Sequence, residues 1–233
     1  MGVGGRLKGS LAAARARVGR GTSARGFYAA HLRYDDLAFD IGANNGIHTA
    51  AMVRRGARVI AVEPQVELAN ELTSRFPEVT VLPLAVGEKP GAALLHTSSA
   101  NHHYATLNDS WVEIGQTVWD GSRSVEVTTL DELIVRYGRP RLIKIDVEGF
   151  EDRVLAGLSW PAEQVLFEMH RPLLDVAQRA LSQLDELGRY EYRLMPHAEH
   201  EYGHDPWILE APATAAEILA EPPRWADVYA RLR

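Results

Sequence analysis

The sequence predicts an α/β fold in which a mostly parallel β-sheet carries helices on both faces and an antiparallel hairpin at one edge. Three observations support this prediction. Short apolar runs alternate with helical periodicity from residue 37 onward, and the breaks fall at glycine, proline or charged residues. The chain has 233 residues, enough for one large domain with a substantial apolar core. Strands that alternate with helices favour a parallel sheet covered on both sides.

Apolar runs predict the strands, and a period of 3.6 residues predicts the helices. The strands of the parallel sheet are predicted at residues 37–41, 58–62, 79–82, 142–147 and 165–168. The helices are predicted at residues 46–56, 66–76, 129–138, 150–158 and 173–187. Near the C-terminus, residues 190–194 and 207–209 are predicted to pair as the edge hairpin, and residues 225–232 to form a final helix.

Two regions depart from the alternation of strands and helices. Residues 1–26 contain six basic residues and no acidic one, although the whole chain has a formal charge of −6. We therefore interpret residues 1–36 as a basic N-terminal arm or cap and residues 37–233 as the main domain. Residues 84–128 interrupt the pattern, with a predicted turn at 88–91 and an insertion near 96–121. The insertion's aromatic residues are expected to pack over the sheet edge.

Composition excludes several kinds of site. The chain has no cysteine, which excludes disulfides, thiolate metal sites and a thiol nucleophile. We see no run of about 20 apolar residues and no secretory signal, so we expect a cytoplasmic protein with no membrane span. The acidic balance argues against nucleic acid as a partner and leaves a small-molecule substrate. Exposed tail strands would permit a homodimer.

A glycine-rich turn provides the strongest motif. The segment FDIGANNG runs from Phe39 to Gly46 at a predicted junction between a strand and a helix, where backbone N–H groups can approach a ligand. Glu63 ends the next strand, 23 residues after Asp40, where a carboxylate can accept both hydroxyls of a ribose. Together the two features predict a bound adenosine-like ligand.

The residues of this turn favour one class of ligand. Asn44 occupies the position where a dinucleotide site needs glycine to make room for the pyrophosphate. Asp40 would repel a pyrophosphate but can attract a cationic group. S-adenosylmethionine (SAM) carries an ammonium, a sulfonium and a ribose, so it fits an acid on the first strand and another on the second better than NAD does.

Two further strand ends carry polar groups. Asp146 and Glu148 follow one predicted strand, and they face the same side if the extended backbone continues. Lys144 can share that face and form a salt bridge, whereas Glu151 falls in the next helix and is expected to stabilise its dipole. Glu168 and His170 end another strand. Ligands bind outside the carboxyl ends of parallel strands, so these side chains are candidates for the reacting centre.

Over residues 37–172 the chain resembles the FkbM family of SAM-dependent methyltransferases. The resemblance rests on six motifs in this order: FDIGANNG, VEP at 62–64, LAVGEKPG, TTLDEL, IKIDVEGFE and FEMH. The resemblance implies a class I (Rossmann-like) methyltransferase domain, SAM as donor and a hydroxyl oxygen as acceptor. It places donor-binding roles on six residues: Asp40, Gly42, Asn44, Gly46, Glu63 and Asp146. Asp146 also falls near the point of methyl transfer.

The expected reaction is methylation of a hydroxyl on a sugar, polyketide or glycan. An alcohol needs a base, and His170 or Asp146 is expected to serve, with Glu148 and Glu168 binding acceptor hydroxyls. We expect no metal. The alternative is a magnesium-assisted reaction in which Asp146, Glu148 and Glu168 supply the oxygen ligands. Loop histidines in two groups (His96, His102, His103; His197, His200, His204) are expected to be solvated.

Two other classes of function remain open from the residues alone. One is a nicotinamide-dependent oxidoreductase, which Asn44 disfavours. The other is a binding module that keeps the nucleoside pocket without turnover, against which Asp146, Glu148 and His170 speak. A nucleic-acid methyltransferase is a weaker third alternative, because the chain beyond residue 26 is acidic and lacks interleaved basic and aromatic residues.

Overall fold

A computed structural model describes residues 25–101, 104–114, 117–196, 215–220 and 225–233. The strands are β1 Leu37–Ile41, β2 Arg58–Val62, β3 Thr80–Leu82, β4 Ala85–Val86, β5 Gly91–Thr97, β6 Ala105–Thr106, β7 Gly121–Thr128, β8 Leu142–Ile145, β9 Gln164–His170, β10 Tyr190–Pro196 and β11 Trp225–Leu232. The helices are α1 25–31, α2 Ile47–Val53, α3 Val66–Arg75, α4 Asp109–Ile114, α5 Leu130–Tyr137, α6 Glu151–Leu155, α7 Leu174–Leu187 and α8 Ala215–Ala220.

Seven strands of the described chain form the main sheet, in the order β10-β11-β9-β8-β1-β2-β3. The five strands from β3 to β9 pair in parallel. β11 lies between β9 and β10 and is antiparallel to both. The predicted α/β fold with a mostly parallel sheet and an antiparallel pair at one edge is therefore confirmed.

One prediction for the C-terminal region is wrong, and another falls on residues that the structure does not describe. Residues 225–232 form strand β11 and not a helix, and this strand pairs with β10, with Tyr190 opposite Leu232. Residues 207–209 lie outside the described residues. The apolar positions of β11 fit a helical period as well as an alternating one, so periodicity alone could not separate the two. The unpaired edge of β9 favours the strand, because a strand that pairs there is buried on both faces.

The two faces of the sheet carry separate apolar cores. In β1, Leu37, Phe39 and Ile41 face one core, which α5, α6, α7 and α8 cover. Ala38 faces the other core, which α1, α2 and α3 cover. All five residues of β1 are buried, as expected for a strand with helices on both sides.

The region that interrupts the predicted pattern forms a second, four-stranded sheet in the order β4-β7-β5-β6. The predicted turn at 88–91 lies between β4 and β5. The predicted N-cap of α5 is also confirmed, because the Thr129 hydroxyl accepts the N–H of Glu132 at 3.1 Å and Gly138 ends the helix. None of the helices in the described ranges has the length and apolar composition of a membrane span.

Candidate functional site

The turn after β1 has the conformation that its glycines allow. Gly42 and Gly46 both have φ of 74°, and Asn44 has φ of 51°, so three residues of one turn lie in the left-handed region. A Cβ on Gly42 would collide with the carbonyl oxygen of Asp146. The turn therefore lies directly against the end of β8, and a side chain at position 42 would separate them.

Glu63, at the end of β2, holds this turn in place. One carboxylate oxygen accepts the N–H of Asn44 and the other accepts the N–H of Gln65, both at 2.8 Å. Burial raises the pKa of Glu63 to about 7, although the two backbone N–H groups act in the opposite direction. Each oxygen keeps a second lone pair, and the residue lines a cavity at the sheet edge.

Asp40 lies beneath the turn and is fully buried. The hydroxyl of Thr49 donates to its Oδ2 at 2.5 Å, and the ammonium of Lys144 lies 3.5 Å from its Oδ1. Asp40 and Lys144 are direct neighbours in the β1–β8 register. Asp40 is not one of the described residues that line the cavity. Its charge therefore acts on the site from beneath the turn.

Lys144 lies between two acidic residues, Asp40 in β1 and Asp146 just after β8. Its ammonium lies 3.2 Å from Oδ2 of Asp146 and donates to the carbonyl of Gly42 at 3.3 Å. Burial lowers the pKa of Lys144, but the charges of Asp146 and Asp40 outweigh burial and raise it above its ordinary value. The predicted salt bridge between Lys144 and Asp146 is confirmed.

The chain turns sharply after β8. The expectation that extended backbone continues to Glu148 is wrong, because β8 ends at Ile145 and Glu148 has φ of 56°, followed by Gly149 at 91°. Glu151 stabilises this turn by accepting the N–H groups of Val147 and Gly149, both at 3.2 Å. Burial raises the pKa of Glu151 to about 7. Glu151 therefore holds the turn after β8, in addition to the stabilisation of the helix dipole that its position predicts.

The turn brings Glu148 beside the end of β9. Nε2 of His170 lies 3.2 Å from Oε2 of Glu168 and 4.0 Å from Oε2 of Glu148. We call these three residues the carboxylate–histidine cluster. Burial raises the pKa of both carboxyl groups, as do neighbouring negative charges. Burial lowers the pKa of His170, but the two carboxylates outweigh it and raise the value to about 9.

Two tryptophans flank the imidazole of this cluster. The ring of Trp111 lies 4.8 Å from that of His170, and the ring of Trp225 is nearly parallel to it at 6.4 Å. The indole N–H of Trp225 donates to Oε1 of Glu168, which leaves Oε2 directed at the imidazole. Trp111 is buried against Leu173 and Val176, around the start of α7.

The cavity lies at the carboxyl edge of the sheet, between the ends of β1, β2 and β8. Asp146 and Glu148 line it on one side and Glu63 on the other. The hydroxyl of Thr106 donates to the carbonyl of Glu148 at 2.8 Å, so β6 lies against the turn after β8, and Thr106 also lines the cavity. The cavity volume is about 40 Å³ in this conformation.

Some predicted residues lie away from this cavity. His96 contacts Asp109 at 2.8 Å on the surface, outside the carboxylate–histidine cluster. The other histidines of the two loop groups lie outside the described residues: His102, His103, His197, His200 and His204.

Sequence reasoning missed Trp225 and Asp227, because β11 was predicted to be a helix. Asp227 is opposite Glu168 in the register of β11 and β9. The alternation of Ala226, Val228 and Ala230 with polar or aromatic residues is a signal that could have indicated a strand.

The fold and the site together define the class of this protein. A parallel sheet with its last strand inserted antiparallel beside β9, a glycine turn after β1 and an acid after β2 are the arrangement of class I methyltransferases. The sequence matches the methyltransferase FkbM domain over residues 40–194, which is more than half of the chain. The protein belongs to the FkbM methyltransferase family, as its motifs predict.

The chain is also similar to several individual proteins. The sequence is 29% identical over 137 residues to the hexuronic acid methyltransferase AglP of Haloferax volcanii, which covers 57% of this chain. The chain spans about half the length of that relative, 54%. Similar solved structures include a precorrin-6y C5,15-methyltransferase from Geobacter metallireducens, with a TM-score of 0.49, 12% identity and coverage of 93% and 86% of the two chains. An rRNA methylase from Streptococcus thermophilus has a TM-score of 0.47, 12% identity and coverage of 90% and 94%.

Proposed function

We propose that the protein transfers the methyl group of SAM to a hydroxyl oxygen of a sugar-like small molecule. The observation that carries this proposal is the placement of Glu63 and Asp146 on opposite sides of one cavity at the carboxyl edge of the sheet. The first carboxylate suits a ribose, and the second suits a cationic donor and a hydroxyl. The named relative, a hexuronic acid methyltransferase, supports the acceptor class.

The donor side is assigned to the turn after β1. Gly42, Asn44 and Gly46 would surround the methionine part, and the free lone pairs of Glu63 would accept the ribose hydroxyls. Asp40 is buried beside Lys144, so it attracts the donor's ammonium as a fixed charge beneath the turn and not by direct contact. SAM supplies an electrophilic methyl group, which the acceptor oxygen takes as sulfur leaves as a neutral thioether.

The acceptor side is assigned to the end of β8 and to the carboxylate–histidine cluster. Of the two predicted bases, Asp146 is preferred, because His170 has a pKa of about 9 and already holds its proton at neutral pH. Asp146 lines the cavity and would accept the hydroxyl proton. Glu148 and Glu168 would bind the neighbouring hydroxyls of the acceptor and orient the reacting one.

The test measures donor binding and methyl transfer separately. Calorimetry with S-adenosylhomocysteine (SAH), the demethylated product, is expected to give one site per chain, and titration with NAD is expected to give none. Labelled SAM is then incubated with a panel of hydroxylated acceptors that includes hexuronic acids, and methyl incorporation is measured by mass spectrometry. Binding of NAD without SAH would overturn the proposal.

The base is tested with Asp146→Asn. We expect the turnover number to fall by about 100-fold or more, the range typical of a lost general base, while the SAH Kd changes by less than about fivefold. The matched control is Glu78→Gln, which alters an exposed carboxylate in the turn before β3 and should leave both values unchanged. Near-normal turnover of Asp146→Asn would remove Asp146 from the base role.

A further inference from the structure

The carboxylate–histidine cluster has the composition of a metal site. It combines two carboxylates and one imidazole from the ends of two adjacent parallel strands, β8 and β9. One ligand atom from each of Glu148, Glu168 and His170 lies within 4.8 Å of the other two. Donors around a cation at about 2.1 Å are separated by about 3 Å when adjacent and about 4.2 Å when opposite, so the cluster is close to that spacing.

Two atoms of the cluster are buried without a hydrogen bond. Oε2 of Glu148 and Nε2 of His170 are shielded from solvent. Within the described residues neither makes a well-aligned hydrogen bond, although Nε2 of His170 lies 3.2 Å from Oε2 of Glu168. Buried polar atoms normally have hydrogen-bond partners, so the gap of 4.0 Å between Oε2 of Glu148 and Nε2 of His170 needs an explanation. Both point toward the same space as Oε2 of Glu168, where a cation would complete their bonding.

The surroundings of the cluster orient its donors. Trp225 donates its indole N–H to the other oxygen of Glu168, and the rings of Trp111 and Trp225 both lie near the imidazole. Such outer contacts fix the direction of metal ligands in proteins.

We infer that Glu148, Glu168 and His170 bind one divalent cation, which holds an acceptor hydroxyl beside Asp146. An imidazole with two carboxylates favours a first-row transition cation such as Mn²⁺ or Zn²⁺ over Mg²⁺ and Ca²⁺, which prefer oxygen donors alone. This inference departs from the sequence-based expectation of no metal. It rests on the proposed function and deepens it. The cation would displace the proton from His170, and Glu148 and Glu168 would hold the acceptor through the cation and not by direct contact. A cation bound to the hydroxyl oxygen makes the proton easier for Asp146 to accept.

The experiment uses the full chain stripped of metal with a chelator and titrated with Mn²⁺, followed by electron paramagnetic resonance and calorimetry. We expect one Mn²⁺ per chain. Glu148→Gln and His170→Ala are each expected to weaken Mn²⁺ binding by at least tenfold, in the range found when metal ligands or their supports are lost. Glu113→Gln, an exposed carboxylate on α4, is the control and should bind Mn²⁺ like the wild type.

Thermal unfolding of each variant shows that it is folded, and SAH binding provides a second check of the neighbouring site. Stoichiometric Mn²⁺ or Zn²⁺ binding that depends on both residues supports the inference. No stoichiometric cation, or variants that bind Mn²⁺ like the wild type, would overturn it. Methyl transfer without cation binding would contradict the metal site alone, and cation binding without methyl transfer or SAH binding would contradict the proposed function alone.

Discussion

The buried charges of Asp40 and Lys144 lie beneath the proposed donor side of the site. Asp40 and Lys144 are neighbours across β1 and β8, and Lys144 also reaches Asp146 and the carbonyl of Gly42. One ammonium thus links the turn after β1 to the end of β8. A buried charge with several partners is costly to remove because its partners are left without compensation. Lys144 therefore couples the proposed donor side, at the turn after β1, to the proposed acceptor side, at the end of β8.

Glu63 gives a prediction on pH. Its pKa is raised to about 7 by burial, and only its ionised form accepts hydrogen bonds with both oxygens. The ionised fraction rises by about tenfold between pH 6 and pH 8, so we expect the SAH Kd to fall by about tenfold over that range. Calorimetry at pH 6, 7 and 8 measures it.

Glu63→Gln is expected to bind SAH more weakly at pH 8 and to lose the pH dependence. Glu71→Gln, an exposed carboxylate on α3, should keep the wild-type profile. A wild-type Kd that stays constant from pH 6 to pH 8 would contradict the assignment of Glu63.

The raised pKa of Glu63 also affects the stability of the fold. Between about pH 4.5 and 7 the unfolded chain loses this proton first, so stability falls as pH rises.

The sequence was sufficient for residues whose role follows from a strand end. Glu63, Asp146 and Glu148 all line the cavity, as expected from the rule that ligands bind beyond the carboxyl ends of parallel strands. It was insufficient for Asp40, because whether a strand residue faces the ligand or the core beneath depends on packing against Thr49 and Lys144.

At the scale of elements, β11 completes the site from the far end of the chain. It lies antiparallel beside β9, and this register puts Trp225 opposite His170 and Asp227 opposite Glu168. The sequence predicted the parallel strands because each is a short apolar run between turn residues. It did not predict β11, because its apolar spacing also suits a helix and its neighbour β9 is about 60 residues away in sequence.

Trp225 is assigned as a positioning residue for Glu168. Trp225→Phe keeps an aromatic ring beside His170 but removes the N–H that donates to a buried carboxylate. We expect kcat/KM for the acceptor to fall by about tenfold or more, with the SAH Kd within about twofold of the wild type. A merely structural role would move both values together.

The matched control is Trp160→Phe, because Trp160 is half exposed and its ring contacts Arg139 away from the site. This variant should match the wild type in both measurements. Equal acceptor kcat/KM for Trp225→Phe and Trp160→Phe would show that the indole N–H of Trp225 does not position Glu168.

At the scale of the whole molecule, the two ends of the described chain meet over one face of the sheet. The ring of Phe27 in α1 packs edge-on against Tyr229 in β11 at 5.3 Å. The Tyr229 hydroxyl donates to Gln164 at 2.7 Å and lies 2.9 Å from Nδ1 of His31. Phe27, Tyr28 and Leu32 all belong to the core on this face, although they fall within the residues predicted to be an N-terminal arm.

This contact gives a test of where the domain begins. If α1 is part of the cooperative fold, Phe27→Ala leaves a cavity between α1 and β11 and should lower the free energy of unfolding by about 3 kcal/mol. Urea unfolding of the full chain, followed by circular dichroism, measures the change. Tyr34→Ala, at a side chain that is 85% exposed, is the control and should cost less than about 1 kcal/mol. A cost for Phe27→Ala as small as that of the control would support a domain that starts at residue 37 with a dispensable arm. A large cost would extend the domain to α1, because burial of Phe27 against Tyr229 would then be part of the same folding transition as the sheet.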